Sequence, residues 1–357
     1  MNSTSESTSK IQQSVETPSL GALTKLWAKI GVLSFGGPAA QIALMHKLIV
    51  EKMRWMTEKE YLNALSFCML LPGPEAMQLA AYAGWRSNGV IGGIIAGALF
   101  VIPGAIVIMA LAWIYAVYGN VPLIQALFLG VKAAVLVIVI EALLKISKKA
   151  LKSTNLKILA VLSFVGIFFL NIPYPLIVLV AATYGFFLAR GEIPDAQTVV
   201  NKPEGFGALI KTVLIWLCVW LVPLFAVAYF SDQQILIEIG KFFSKLAVVT
   251  FGGAYAVLAY MGQDVVNYWH WLTPEEMMDG FGLAETTPGP LILVTEFVGF
   301  LAGYKEAGLS IGIAAALVTL WTTFIPCFLW IFAGAPYIEW IGAQPKLKSA
   351  LQAISAA

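Results

Sequence analysis

Leu70-Leu71-Pro72-Gly73-Pro74-Glu75 interrupts an otherwise membrane-long apolar run, and Thr286-Thr287-Pro288-Gly289-Pro290 repeats the interruption 216 residues later. Each proline lacks an N–H and disfavours helix in the residue before it, while the second proline suits the first position of a new helix. Both sites therefore read as helix stop, exposed backbone, helix start. Inside a bilayer this leaves unpaired N–H groups and the positive end of a helix dipole facing inward. Lipid cannot satisfy them, but an anion or a water-lined cavity can.

Working outward, composition agrees with a lipid solvent. Of 357 residues, 59% are hydrophobic and only 12% charged, and the mean hydropathy is +0.83, so the sequence implies an all-α polytopic membrane protein. A net charge of +2 is too small to imply a nucleic-acid partner. Cys68, Cys218 and Cys327 sit singly in apolar segments without metal-ligand or disulfide spacing, so no metal and no cofactor is expected. Residues 1–19 are a polar Ser/Thr-rich tail without the apolar centre of a secretory signal.

From Leu20 the chain is apolar, and Phe35-Gly36-Gly37-Pro38 breaks it into two half-helices. Glu58 to Leu71 and Glu75 to Arg86 flank the first Pro-Gly-Pro, and each is too short for the ~20 residues of a spanning helix. They read as a re-entrant hairpin. Five candidates for crossing follow: Gly89 to Tyr118, Pro122 to Ile146, Asn155 to Asn171, Tyr174 to Arg190, and Phe206 to Phe230. Gly191 to Gly205, with two prolines and four charges, reads as a cytoplasmic linker between a first repeat (20–190) and a second (206–357).

The second half restates the first. Phe251-Gly252-Gly253 matches Phe35-Gly36-Gly37, Trp271 matches Trp55, Thr273 matches Thr57 and Glu276 matches Glu60, with 13 identities in the 40 positions from Phe35 to Pro74 at one ungapped offset. After a three-residue insertion, Ala83-Gly84-Trp85-Arg86 pairs with Ala302-Gly303-Tyr304-Lys305. An odd number of crossings between the two copies makes the repeat inverted. The Lys145 to Lys157 cluster, placed inside by the positive-inside rule, puts the N-terminus and the Lys47 to Arg54 loop in the cytoplasm, whereas the matching Gln263 to Trp271 loop has lost its cations. The expected architecture is an inverted internal repeat with paired re-entrant half-helix hairpins around a midplane site. Gln344-Pro345 to Ala357 resembles the opening of the Pro122 span and then stops, so the second repeat is expected to be truncated.

Together Phe35-Gly36-Gly37-Pro38, Leu71-Pro72-Gly73-Pro74, Gly130-Val131-Lys132-Ala133-Ala134-Val135, Phe251-Gly252-Gly253 and Thr287-Pro288-Gly289-Pro290 resemble the long, two-half members of the chromate ion transporter family. The likeness runs from about Leu20 to the C-terminus and departs at Ala254, which stands where the first half has Pro38. It implies efflux of chromate, with sulfate as its look-alike, across the inner membrane.

A tetrahedral oxyanion needs donors converging from several directions, and helix N-termini supply them. The anion-facing candidates are the backbone of Gly73, Pro74, Glu75 and Ala76, and of Thr287, Gly289, Leu291 and Ile292, with Gly36, Gly37, Gly252 and Gly253 allowing close approach. For these glycines, close helix packing is the plain alternative. Gln78 adds a neutral donor one turn after Pro74. Lys132 lies ten residues into an apolar span, where an ammonium marks an anion site or else snorkels or pairs. Arg86 and Lys305 read equally as mouth or gating residues and as interfacial anchors. Glu75 either stabilises its helix N-terminus or couples transport to protons by losing its charge, and Glu285 and Glu296 pose the same question in the second half.

Neither a His-Glu-x-x-His motif nor a nucleotide-cradling loop occurs, so an enzyme and direct nucleotide drive are both disfavoured. A secondary carrier driven by membrane potential, with protons as added coupling, is the leading expectation. A sulfate transporter, a channel and a lipid-phosphate flippase remain the alternatives. The partners implied are the oxyanion and the bilayer, and a homodimer is left open.

Overall fold

The computed structural model describes residues 17–119, 121, 130, 137, 140, 144, 147–148, 151, 153–170, 172, 174–188, 206–249, 254–338, 349–350 and 353–354. All regular structure among the described residues is helical. Lys132, Gly252, Gly253 and the linker at 191–205 lie outside them.

The first helix, α1 (Leu20–Leu33), starts at Ser19, whose hydroxyl accepts from the Ala22 amide, and ends at the tip formed by Ser34 to Gly36. From there α2 (Gly37–His46) runs on into a π-turn at Lys47–Lys52. A capping box then opens α3 (Glu58–Cys68): the Thr57 side chain accepts from the Glu60 amide, and the Glu60 carboxylate accepts from the Thr57 amide at 2.9 Å. Beyond Pro72-Gly73-Pro74 comes α4 (Glu75–Tyr118).

Although α4 is helical over 44 residues, it is folded on itself. Asn88 and Gly89 leave helical geometry, with Gly89 at φ 62°, ψ −157°, a region open essentially to glycine alone. A Cβ on Gly84 would collide with the Gly92 carbonyl oxygen, yet eight residues of straight helix separate two such groups by ~12 Å. So α4 comprises a short leg (75–87) and a long leg (90–118) lying back along it.

Next come α5 (Thr154–Phe168) and α6 (Tyr174–Leu188), both short for a spanning helix, then α7 (Phe206–Phe230). The α7 bounds coincide with the apolar segment read from the sequence. The features of the first part then recur in order. After α8 (Gln234–Val249) and α9 (Ala254–Gln263) comes a π-turn at Asp264–Tyr268. Arg54 and His270, at the common offset of 216, both carry φ 54°. Thr273 and Glu276 form a second capping box at the start of α10 (Pro274–Thr286). Gly289 has φ 94°, as Gly73 has φ 116°. A 3-10 turn at Leu291–Leu293 precedes α11 (Val294–Gly334), which folds back at Ala307 and Gly308 into legs at 294–306 and 309–334. That turn is the three-residue insertion seen in the sequence, so Glu75 corresponds to Val294, Met77 to Glu296 and Gln78 to Phe297.

Among the described residues, three segments are long and apolar enough to cross a membrane: Glu75–Tyr118, Gly207–Phe230 and Leu291–Tyr337. In the folded α4, the leg of crossing length is the long one, ~43 Å at 1.5 Å per residue. Phe168, Phe187, Phe225, Tyr229 and Phe230 present largely exposed rings on α5, α6 and α7, a surface suited to lipid and costly in water.

The fold in α4 yields a clean test. Gly89 and Gly21 both have open space where a Cβ would go, but only Gly89 has the strained backbone. Gly89→Ala should cost about 1–3 kcal/mol, lowering the melting temperature in detergent, while Gly21→Ala should be neutral or stabilising. Equal melting temperatures for the two variants would contradict the folded form of α4.

Candidate functional site

Each helical hairpin is closed at its base by a charge pair. Arg86, at the end of the α4 short leg, donates to Glu60 at the start of α3 at 2.9 Å. Lys305 pairs in the same way with Glu276 and also donates to the Trp271 carbonyl at 3.2 Å. Partial burial opposes ionisation of Glu60, but the Thr57 amide, Arg86 and the Thr57 hydroxyl outweigh it and hold the carboxyl below the usual carboxylate range. Around the first base, His46 meets Glu58 at 2.6 Å, the Tyr61 hydroxyl donates to the Ile42 carbonyl at 2.7 Å, and Asn88 donates to the Pro18 carbonyl at 2.9 Å. The start of α1, the end of α2, the start of α3 and the fold in α4 therefore share one end of the molecule. The tips at Ser34 to Gly37 and Pro72 to Pro74 point away from it.

The tips are where the two parts of the chain meet. Gly289 donates its N–H to the Ser34 carbonyl at 2.8 Å. Gln41 Nε2 donates to the Gly289 carbonyl at 2.6 Å and to the Ser34 carbonyl at 3.3 Å. Both flanking side chains are sealed from solvent, Ser34 at 0% and Gln41 at 1% exposure. Gly104 abuts the Pro288 carbonyl and the Gly289 Cα so closely that a Cβ there would collide with both. Gly104 is the central residue of the α4 long leg. The other tip is seated in a similar manner: Gly73 lies against Cys327 and Gln78, with Cys327 on the α11 long leg. Gln78 Nε2 donates to the Pro72 carbonyl at 2.7 Å.

Beside the Pro72–Pro74 tip lies a cavity of about 10 Å³, lined by Gly73 and Pro74, by Phe243, Leu246 and Ala247 of α8, and by Ile292 and Thr323. This is room for about one water molecule, too little for a four-oxygen anion. Thr323 is also 3.4 Å from Thr295 across the two legs of α11. Polar atoms are concentrated at this depth. Gln41 Oε1, Gln78 Oε1, Thr287 Oγ1 and both Glu296 oxygens are buried with no hydrogen-bond partner among the described residues, whereas native interiors satisfy nearly all such groups.

The structure thus brings Gly73, Pro74, Gln78, Gly289 and Leu291 into one region and buries Ala76, Thr287, Glu285 and Glu296 around it. Glu75 is half-buried at the start of α4, where Pro74 supplies no side-chain cap. Gly36 is exposed and Gly37 buried at the α1–α2 tip. Two details depart from the sequence expectation. The Gly289 amide is committed to Ser34, so it is not free for a ligand in this conformation. Leu291 and Ile292 belong to the 3-10 turn, and α11 itself begins at Val294. Arg86 and Lys305 stand at the hairpin bases, away from the tips. Ser34, Gln41 and Thr323 were not singled out by sequence. Ser34 had a visible signal, since it precedes Phe35-Gly36-Gly37 and Thr250 precedes the matching Phe251-Gly252-Gly253.

Replacing Gln41 by Leu removes the donor to the buried Gly289 carbonyl, and an unsatisfied buried acceptor costs about 1–3 kcal/mol. Gln234→Leu, at an exposed position on α8, should cost far less. Thermal unfolding in detergent compares the two; equal losses would show that the Gln41–Gly289 bond does not join the parts.

A family model described as Chromate transporter matches residues 21–186 and 237–357. A chromate transport protein of Cupriavidus metallidurans is 29% identical over 350 residues, covering 96% of this chain and 80% of that protein. One of Pseudomonas aeruginosa is 28% identical over 364 residues, covering 99% and 82%. An uncharacterized transporter of Bacillus subtilis is 26% identical over 169 residues, covering 46% of this chain but 85% of its own length. No solved structure matches.

Proposed function

The chain belongs to the chromate transporter family, and on that premise we propose that it exports chromate across the inner membrane by alternating access between two inverted repeats. The observation that carries this reading is the crossed seating of the two Pro-Gly-Pro tips, Gly73 against Cys327 and Gly289 against Gly104, with Gly73, Pro74 and Ile292 lining one small cavity. Each tip is seated near the centre of the opposite part's crossing leg, at Gly104 or at Thr323 and Cys327. A site at that depth is where an alternating-access carrier holds its substrate.

Several geometric facts support re-entrant hairpins of opposite orientation. The α3 helix and the α4 short leg measure ~16 and ~20 Å at 1.5 Å per residue, about half a bilayer. The first base gathers at the fold of α4, while Tyr115, near the far end of the long leg, donates to Asp279 of α10 at 2.9 Å. The second hairpin thus begins at the other end of the same crossing leg. With the N-terminus cytoplasmic, the first set opens inward and the second outward.

The cavity is smaller than a tetrahedral oxyanion, so substrate binding requires a tip to part from the opposite leg. The Thr287 hydroxyl is then a neutral donor, Gln41 and Gln78 add theirs as their Nε2 groups leave the Gly289, Ser34 and Pro72 carbonyls, and the start of α4 carries no side-chain cap. Lys132 supplies the compensating charge from its span. Glu296, and with it Glu75 and Glu285, are the groups through which protons couple to the cycle. The electrical gradient suffices in sign: one charge crossing 100 mV is worth ~2.3 kcal/mol, so a dianion leaving an inside-negative cell gains roughly twice that.

Radiolabelled chromate uptake into inverted membrane vesicles tests the proposal. Uptake should saturate, rise with an imposed lumen-positive potential, fall with excess sulfate, and drop about tenfold or more in Lys132→Ala, the scale of one lost charge-assisted hydrogen bond. Uptake indifferent to the imposed potential would rule out electrogenic export.

A further inference from the structure

The likeness between the two parts extends before the glycine break. Lys25 and Lys29 of α1 correspond, at the same offset of 216, to Lys241 and Lys245 of α8. Each helix buries its opposite face: Leu23, Trp27, Ile30 and Gly31 in α1, and Phe242, Phe243, Leu246 and Ala247 among others in α8. All four lysines are exposed. Lys25, Lys29, Val32 and Gly36 recur at helical spacing, and all four are exposed, so the lysine face leads directly to the tip.

Depth makes this arrangement informative. Ser34 is bonded to Gly289, which seats on the central residue of the α4 long leg. Lys29 precedes Ser34 by five residues, ~8 Å of helix axis, well inside the ~15 Å half-thickness of hydrocarbon. An ammonium there cannot rest against lipid without large cost. Like charges four residues apart also repel along a helix, yet the pair occurs twice. Among the described residues no carboxylate pairs with any of the four; Lys245 has only the Tyr260 hydroxyl at 3.0 Å, with its ammonium 5.7 Å from the ring centroid.

We propose that the two lysine pairs line two water-filled vestibules, one on each face of the membrane, which draw tetrahedral dianions of the chromate and sulfate class toward the hairpin tips. This rests on the transporter reading above and adds its entry and exit sites. Two ammoniums at i, i+4 spacing match a dianion whose oxygens point in several directions, and water keeps the interaction weak enough for release.

The test uses the full chain in right-side-out and inverted vesicles, with Lys29→Cys and Lys245→Cys made separately. Membrane-impermeant anionic and cationic thiosulfonates are the probes. Native Cys218, exposed at the centre of α7, is the lipid-facing reference, and Cys68 and Cys327 are buried. Both introduced thiols should react about a hundredfold faster than Cys218, from the cost of bringing a charge to bilayer depth. They should react from opposite faces, faster with the anionic than the cationic reagent, and more slowly in excess sulfate. Lys25→Gln should abolish the anionic preference at position 29. If either variant misfolds, Lys25→Cys and Lys241→Cys carry the same readout. Rates equal to Cys218, labelling of both from one face, or no anionic preference would each overturn the proposal. Labelling needs no chromate movement, so its failure is distinguishable from failure of the uptake assay.

Discussion

Hydrocarbon offers no hydrogen bonds, so every backbone group released by breaking a helix must find a partner inside the protein. The chain breaks helices at Ser34 to Gly36, Pro72 to Pro74 and Pro288 to Pro290, and the rest of the fold is arranged to receive those breaks. The Ser34 carbonyl takes the Gly289 amide, Gln41 bridges both carbonyls, and Gln78 reaches back to Pro72. Gly104 has no side chain because the Pro288 carbonyl occupies the space one would fill. Each break is thereby held by at least one hydrogen bond, and the bonds at Ser34 and Gly289 tie the two parts of the chain together.

The two parts are alike in backbone and unlike in chemistry. Both have the π-turn, a left-handed residue at 54 or 270, the capping box, the Pro-Gly-Pro and a folded long helix. Where the first has Met77 and Gln78, the second has Glu296 and Phe297. Phe297 packs on Gly280 and on Tyr115 at 5.3 Å between centroids, whereas Gln78 stays at its own tip. The 3-10 turn at Leu291–Leu293 pushes the start of α11 one turn away from Pro290. The cavity is lined from the first part by the backbone-rich Gly73 and Pro74, and from the second by the apolar Phe243, Leu246, Ala247 and Ile292 with the Thr323 hydroxyl.

Much of this was legible because punctuation in the sequence is local. Proline, glycine and the Thr-x-x-Glu pairs fix where helices stop and start within a few residues, so the ends of α3, the start of α4, the fold at Gly89 and the whole of α7 could be placed from residue types alone. The start of α11 could not, because identities lapse between Pro290 and Ala302 and nothing marks where three extra residues are accommodated. Nor could the Gln41–Gly289 bond, which joins residues 248 apart without any shared pattern. Lys25 and Lys29 were missed for another reason. Two lysines on a helix near a polar tail look like an ordinary surface, and only their placement on the helix that ends at a buried tip sets them apart.

The crossed seating of the tips also bears on synthesis. Gly73 emerges from the ribosome some 254 residues before Cys327, the residue it finally lies against. At roughly 5–20 residues per second that interval is about 13–50 s, during which the tip of the first hairpin still lacks the α11 leg. The Arg86–Glu60 clasp and the Gln78–Pro72 bond both lie within the first part. They are what can hold the early hairpin in shape until the second part arrives, so the first part has to keep its form on its own bonds before the second is made.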